Sequence, residues 1–255
     1  LGNTTTEIEA SGIDILLAVD VSSSMNAMDF KLHGKSINRL EVVKSVMADF
    51  IEARPNDRIG LVAFAGKPYM VSPLTLDHSW LNKRLESLSI GMIEDGTAIG
   101  SAIGSGTNRL RDLNSKSRIL ILLTDGMNNA GKITPMLAAE AAKTFKIKVY
   151  TIGAGTKGEA PIPVTDAFGR KRLAMTKVDI DEDTLTKVAE MTGAKYFRAT
   201  DTDSLEKVYE EINTMETTIR KIKKFENYRE LFVYLVGAAL LSMLVSVLIE
   251  ARRLP

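Results

Sequence analysis

The stretch that decides the fold is Asp20-Val-Ser-Ser-Ser-Met25, which directly follows the apolar run Ile13-Asp-Ile-Leu-Leu-Ala-Val19. The apolar run predicts a buried strand, and the six residues predict a loop at its carboxyl end. Ligands of open α/β sheets bind outside the carboxyl ends of the strands. Because Asp20, Ser22 and Ser24 alternate, one carboxylate and two hydroxyls can converge on one side of the loop. These oxygens suit a hard divalent cation such as Mg²⁺; the alternative interpretation is a serine-rich turn between strand and helix.

The segments on either side predict an α/β fold, doubly wound, with a mostly parallel central sheet flanked by helices. Residues 58–65 predict a second strand, and residues 69–72 predict a short third strand that is antiparallel to it. Residues 119–123 are all apolar, as expected of a central parallel strand that is covered on both faces. Asn38 and Glu41 predict a capping box at the start of a helix.

Glycine recurs every four residues at Gly96, Gly100 and Gly104, in a segment that otherwise predicts a helix running to about Leu113. Each glycine lowers helix propensity by about 1 kcal/mol. We expect close packing of this helix on the sheet to offset that cost.

The last fifth of the chain predicts a long helix and a transmembrane segment. Residues 231–249 carry no charge over a length of about 28 Å, which predicts a transmembrane helix; a buried helix of a soluble protein is the alternative. Between Leu205 and Phe225 apolar residues recur at near-heptad spacing, which predicts one nearly continuous helix from the globular domain to the bilayer. The alternative is a core helix that ends near Thr217, followed by a basic linker.

These patterns divide the chain into five parts. We predict a connector or edge strand at 1–12 after a missing upstream segment, the α/β domain at 13–217 with a rim excursion at 158–178, a basic juxtamembrane helix at 218–230, the transmembrane helix at 231–249, and a short tail at 250–255.

Composition excludes several classes of function. The chain has 255 residues, a net charge of +1 and no cysteine, so nothing suggests nucleic acid as a partner, and thiolate metal sites are excluded. Only His33 and His78 are available for zinc or Ser-His-Asp chemistry. A phosphate-binding glycine motif is also missing from the sequence.

Two further predicted strand ends carry oxygen ligands. Thr97 lies in Asp95-Gly-Thr97, and Asp125 follows the apolar strand in Thr124-Asp-Gly126. In a doubly wound sheet these positions would meet the Asp20 loop at one edge. Each position also has an ordinary interpretation as a helix cap or a turn.

The set of motifs Asp-x-Ser-x-Ser, Asp-Gly-Thr and Thr-Asp-Gly resembles the von Willebrand factor A (VWA) domain over roughly residues 13–217. In that family these residues form the metal-ion-dependent adhesion site (MIDAS). The resemblance implies that Ser22 and Ser24 bind the metal directly, that Thr97 binds directly or through water, and that Asp20 and Asp125 act mostly through water. It leaves one coordination position open for an acidic residue of a partner. Mg²⁺ is the expected ion, with Ca²⁺ or Mn²⁺ as alternatives.

Finer motifs resemble the membrane-anchored bacterial BatA proteins of the aerotolerance operon, namely the segments 25–30, 38–41, 57–64 and 252–255. The resemblance implies BatB-like and BatD-like membrane partners and a MoxR-type AAA+ ATPase. It also implies an inner-membrane protein with a periplasmic domain and two transmembrane helices before it. The basic residues at 220–229 conflict with that side, because the positive-inside rule would place the domain in the cytoplasm.

Taken together, the sequence predicts a metal-dependent protein-interaction module of a membrane complex and not an enzyme. No base or nucleophile is placed at a predicted strand end beside the oxygen ligands. A surface adhesin or receptor is the first alternative, and a metal-dependent hydrolase is the second.

Overall fold

The structure is a computed structural model, and it describes residues 6–7, 12–32, 34–113, 115, 117–156, 158–165, 171–217, 225–226 and 232–251. The strands are β1 (Thr6–Glu7), β2 (Asp14–Asp20), β3 (Phe30–Leu32), β4 (Lys35–Ile37), β5 (Arg58–Phe64), β6 (Pro68–Thr75), β7 (Arg118–Thr124), β8 (Lys148–Ala154), β9 (Gly158–Thr165), β10 (Lys171–Val178), β11 (Tyr196–Ala199) and β12 (Phe225–Glu226). The helices are α1 (Arg39–Glu52), α2 (His78–Glu86), α3 (Ile99–Leu110), α4 (Pro135–Thr144), α5 (Glu182–Met191), α6 (Thr202–Thr217) and α7 (Phe232–Ala251), with a 3-10 turn at Ser23–Asn26.

The central sheet has six strands in the order β11-β8-β7-β2-β5-β6. All neighbours are parallel except β6, which is antiparallel to β5 as the sequence predicts. Strand β2 therefore lies between β7 and β5 in the middle of the sheet, with both faces buried. This architecture confirms the predicted doubly wound α/β fold.

Alternate residues of β2 serve two separate cores. Ile15, Leu17 and Val19 pack with apolar side chains of α1, α2 and α6. Leu16 and Ala18 pack on the other face with side chains of α3, α4 and α5. Because β2 is covered on both faces, its ends are the only parts that can present polar groups to a ligand.

Two local predictions can be compared directly with the structure. Asn38 caps α1, since its side chain accepts a hydrogen bond of 2.9 Å from the backbone N–H of Glu41. Strands β9 and β10 pair in antiparallel register, so the rim excursion is a β-hairpin. Residues 166–170, between its two strands, lie outside the described residues.

The expected reason for the glycine repeat is wrong for two of its members. A Cβ atom at Gly100 would lie 2.0 Å from the carbonyl oxygen of Ile133, and one at Gly104 would lie 3.3 Å from the side chain of Ile133. These glycines therefore permit close approach of α3 to the chain that leads into α4, and not to the sheet. Gly106 is the glycine that faces the sheet, where a Cβ would meet the side chain of Leu120 at 2.9 Å.

The prediction of one nearly continuous helix from Leu205 through Phe225 is wrong. Helix α6 ends at Thr217, and Phe225 lies in β12, which pairs antiparallel with β1. The backbone of Phe225 instead pairs with that of Glu7. Residues 218–224 and 227–230 of the predicted juxtamembrane segment lie outside the described residues, as do residue 231, most of the connector and residues 252–255.

The chain divides into two compact units, one comprising residues 11–220 and the other residues 1–10 with 221–255. In the second unit α7 covers the segment predicted to be a transmembrane helix. None of the helices in the described ranges is long and apolar enough to cross a membrane, so the transmembrane prediction is not supported.

Candidate metal centre

The candidate site lies at the carboxyl ends of β2 and β7, which are adjacent and parallel in the sheet. Asp20 is the last residue of β2, and Asp125 directly follows β7. The parallel register, in which Val19 is opposite Leu123, brings the two following loops to the same edge. Two carboxylates that are 105 positions apart in sequence thus share one edge because of strand order alone.

Hydrogen bonds fix both oxygens of the Asp20 carboxylate. Its Oδ1 accepts a bond of 2.9 Å from the backbone N–H of Ser22, and its Oδ2 accepts one of 2.6 Å from the hydroxyl of Thr124. The first bond tightens the loop directly after the strand, and the second joins β2 to β7. Asp20 is completely buried, so its orientation is set by these two partners.

Ser22 and Ser24 present their hydroxyls beside Asp125. Their Oγ atoms lie 3.0 Å apart and are hydrogen-bonded to each other, and the Oγ of Ser24 donates a bond of 2.5 Å to Oδ1 of Asp125. Neighbouring oxygens in an octahedral Mg²⁺ shell lie about 2.9 Å apart, given metal–oxygen distances of about 2.0–2.1 Å. The separation of the two serine oxygens therefore fits two adjacent positions of such a shell.

Thr97 approaches the same loops from the start of α3. Its Oγ1 lies 3.3 Å from the point at which a Cβ of Gly126 would stand, which places the hydroxyl directly against the Asp125-Gly126 turn. Asn129 holds this segment, because its Oδ1 accepts a bond of 2.8 Å from the N–H of Thr97 and its own N–H donates to the Thr97 carbonyl at 3.1 Å. The structure thus brings all five sequence-predicted residues, Asp20, Ser22, Ser24, Thr97 and Asp125, to one edge.

The electrostatics of the site favour a bound cation. Burial, and then repulsion from the charge of Asp125, raise the pKa of Asp20 to about 7. Burial also raises the pKa of Asp125, although the guanidinium of Arg39 opposes the shift. Two buried carboxylates that are this costly to ionise side by side are stabilised when a divalent cation lies between them.

Arg39, at the first position of α1, is a component of the site that the sequence reasoning missed. Its Nη1 donates a bond of 2.8 Å to Oδ2 of Asp125, and its Nε donates one of 2.8 Å to Asp29, with a second bond from Nη2 to the same carboxylate. Gly155, with φ +131°, makes room for the guanidinium, since a Cβ there would lie 2.5 Å from Arg39 Cζ. The available signal was an arginine at the first position of a helix, directly before the core residue Leu40.

Asp95 is a second missed residue. Its Oδ1 accepts a bond of 2.9 Å from the N–H of Ser23, and its Oδ2 accepts one of 2.7 Å from the Ser23 hydroxyl. The backbone bond and then the hydroxyl bond from Ser23 lower the pKa of Asp95, so it is a carboxylate at neutral pH. It therefore connects the loop that carries Thr97 to the loop that carries the two serines.

The donor set decides which metals fit. Within the described ranges no group of three or more histidine, cysteine, aspartate or glutamate side chains could hold a metal ion, so a site here must rely on hydroxyls. Serine and threonine oxygens with carboxylates are ligands for hard divalent cations. The residues present therefore fit Mg²⁺, Ca²⁺ or Mn²⁺ in the chemistry of their atoms, and the spacing of the serine oxygens fits Mg²⁺.

A six-stranded α/β sheet with hydroxyls and carboxylates at the carboxyl ends of its central strands defines a VWA-type domain. Residues 15–128 match the von Willebrand factor type A domain, and an uncharacterized protein of Borreliella burgdorferi is 30% identical over 236 residues, covering 92% of this chain and 68% of that protein. The chain belongs to the von Willebrand factor A family. It spans 59% of a UPF0353 protein of Mycolicibacterium paratuberculosis, to which it is 29% identical over 211 residues, or 78% of this chain.

Solved structures agree with the resemblance to aerotolerance proteins. BatB from Bacteroides thetaiotaomicron is 29% identical, with a TM-score of 0.69, over 81% of this chain and all of that one. An aerotolerance-related membrane protein from Bacteroides fragilis is 28% identical, with a TM-score of 0.66, over 80% of this chain and all of that one. Proximal thread matrix protein 1 from the mussel byssus, solved with a zinc-occupied MIDAS motif, shares the fold at 19% identity and a TM-score of 0.61, over 84% of this chain and 48% of that one.

Proposed function

We propose that this protein binds a protein partner through a divalent cation. Asp20, Ser22, Ser24, Thr97 and Asp125 would hold the cation, which when bound supplies a Lewis-acidic position for an oxygen of an acidic partner residue. The observation that carries the proposal is the spacing of 3.0 Å between the Ser22 and Ser24 hydroxyls beside two buried carboxylates. Mg²⁺ is the proposed ion because all the donors are hard oxygens.

The residues of the chain hold the site in a form that suits binding. Asp20 and Asp125 each have both carboxylate oxygens hydrogen-bonded, so the site is ordered by its own network and needs little rearrangement to accept an ion. Preorganisation of this kind reduces the entropy that binding costs.

The described histidine, His78, lies away from the candidate metal centre. The Nε2 of His78 lies 3.0 Å from the carbonyl oxygen of Asp57, which precedes the amino end of β5. Since β5 and β2 are parallel, His78 lies at the edge of the sheet opposite the candidate metal centre. His78 therefore cannot act as a general base at the metal site.

Membrane association is the second part of the proposal. One structural relative is described as an aerotolerance-related membrane protein, which supports the same setting for this chain. Helix α7 is also unusually apolar on its surface. Its exposed large apolar side chains are Tyr234, Val236, Leu240, Leu241, Met243 and Val245. We propose as partners BatB-like and BatD-like membrane proteins and a MoxR-type ATPase. The zinc-occupied MIDAS motif of the mussel byssus protein separately supports the use of a divalent cation by this fold.

Affinity purification of the whole chain from bacterial membranes tests the proposal. Wild type is compared with Thr97→Ala, which removes one hydroxyl, and with Ser87→Ala, which removes an exposed hydroxyl at the end of α2. We expect the same partner proteins to be lost with Thr97→Ala and with EDTA, and to be retained with Ser87→Ala. Partners that remain bound under both treatments would show that the interaction does not depend on the site.

A further inference from the structure

A cavity of about 630 Å³ opens beside the candidate metal centre. Ser24 and Thr97 form one side of it, and the β9–β10 hairpin forms another through Ile162 and Pro163. Ile90 and Met127 complete an apolar part of the lining. The volume is comparable to pockets that hold small-molecule ligands and is larger than a single carboxylate needs.

The hairpin that forms this wall is anchored beside the serine loop. The backbone N–H of Met28 donates a bond of 2.8 Å to the carbonyl of Pro161, and the side chains of Ala27, Ala160 and Ile162 form a small apolar cluster. The hairpin is thus fixed to the chain that directly follows the 3-10 turn at Ser23–Asn26.

The two faces of the hairpin differ in their surroundings. Ile162 is opposite Ala174 and Ala160 is opposite Thr176, so these residues share the face toward the cavity and the serine loop. Leu173 and Met175 alternate with them on the other face, are exposed and do not line the cavity, although Pro163, which is opposite Leu173, does. Substitutions at Ile162 can therefore be compared with substitutions at Leu173 and Met175, which belong to the same hairpin.

The chemistry of the lining indicates what the cavity can accept. Among the described residues that line it none is basic, and Asp179 contributes a carboxylate. Among these described residues a partner carboxylate would find no cationic side chain, so the bound metal would be the positive charge that it meets. The Ile90, Met127 and Ile162 side chains would then face whatever lies next to that carboxylate, and they suit an apolar group.

We propose that the cavity selects a partner segment in which an acidic residue lies next to a large apolar residue. The acidic side chain binds at the metal, and the apolar side chain packs against Ile162 and Met127. A cavity of this volume is roughly 9 Å across, which matches about three residues of extended chain, so the two side chains are at most two positions apart. This inference rests on the proposed function and adds the sequence preference of the partner.

Selection of a random peptide library displayed on phage tests it, using the whole chain with Mg²⁺ or with EDTA. We expect Mg²⁺-dependent enrichment of peptides with Asp or Glu and a Leu, Ile, Met or Phe within two positions. The double variant Ile162→Ser/Met127→Ser should keep the acidic preference, and its affinity for a synthetic peptide of the enriched type should fall about tenfold. The control Leu173→Ser/Met175→Ser, on the opposite face of the same hairpin, should bind like wild type.

The outcomes separate the two proposals. Mg²⁺-dependent enrichment of acidic peptides without an apolar preference would overturn this inference and leave the proposed function standing. Equal loss of affinity in the control pair would also overturn it, because the cavity face would then have no special role. Absence of any Mg²⁺-dependent acidic enrichment would contradict the proposed function and the inference together. Thermal unfolding of each variant establishes that a loss of affinity is not a loss of fold.

Discussion

The Nη1 atom of Arg39 donates a hydrogen bond of 2.8 Å to Oδ2 of Asp125, and neither side chain is exposed to solvent. The other oxygen of Asp125 accepts from Ser24, so the carboxylate lies between a buried cation and the serine loop. Asp29 neutralises the far side of the same guanidinium. The Asp125 carboxylate of the candidate metal centre is therefore held in place by the buried guanidinium of Arg39.

Replacing Arg39 by methionine should destabilise the domain by about 3–5 kcal/mol, because two carboxylates would lose their buried partner. Urea unfolding followed by circular dichroism measures the change. Arg111→Met is the control, since Arg111 pairs with Asp112 at the surface and such pairs contribute at most about 1 kcal/mol. Similar losses for the two variants would show that burial of the Arg39 pair has no special weight.

The Arg39–Asp29 pair should also make the free energy of unfolding depend on pH. Burial alone would raise the pKa of Asp29, but the bonds from Arg39 and Thr156 outweigh it and hold the pKa below the usual 3.8. A depressed pKa in the folded state means that the stabilisation is complete above pH 3.8 and is lost as the pH falls through the lower, folded-state pKa.

The free energy of unfolding of wild type should therefore exceed that of Asp29→Asn near neutral pH, and the difference should shrink below pH 3.8. Urea titrations at several pH values measure it. A difference that stays constant down to pH 2 would mean that the ionised carboxylate of Asp29 is not what stabilises the fold.

Asp95→Ala should weaken metal binding about tenfold with little loss of stability, because residues that orient metal ligands typically have effects of this size. Asp95 is exposed, and its contacts are to Ser23 in the serine loop. Glu94→Ala is a matched control that removes the same charge one residue away. Calorimetric titration with Mg²⁺ measures both, and equal losses would assign the effect to charge and not to the hydrogen bonds with Ser23.

Gly155→Ala should destabilise the domain and displace Arg39. The backbone at Gly155 has φ +131°, which L side chains rarely adopt, and a Cβ there would lie 2.5 Å from the guanidinium carbon. Gly158→Ala is the control, since it also has a positive φ, of +103°, but a Cβ there would meet nothing within 4 Å. Thermal unfolding should show a clearly larger loss for Gly155→Ala, whereas equal losses would mean that only the backbone conformation matters.

The sheet and the position of Asp20, Ser22, Ser24 and Asp125 at one edge could be predicted because their signals are local. Strands β2 and β7 are formed by apolar runs, and these carboxylates and hydroxyls follow them directly, whereas Thr97 precedes α3 and follows neither strand. Arg39 and Asp29 could not be placed in this way, since their partners Asp125 and Thr156 come from distant parts of the chain. The apolar spacing through Phe225 predicted a helix, but strand pairing with Glu7 overrides that periodicity.

Calorimetric titration of the whole chain with Mg²⁺ tests the central claim most directly, with Ser22→Ala/Ser24→Ala as the variant and Ser87→Ala as the control. If the serine hydroxyls that lie 3.0 Å apart are metal ligands, wild type and control bind one Mg²⁺ per chain and the double variant loses at least about tenfold in affinity. Equal Mg²⁺ affinity in all three proteins, or no binding by wild type, would contradict the account.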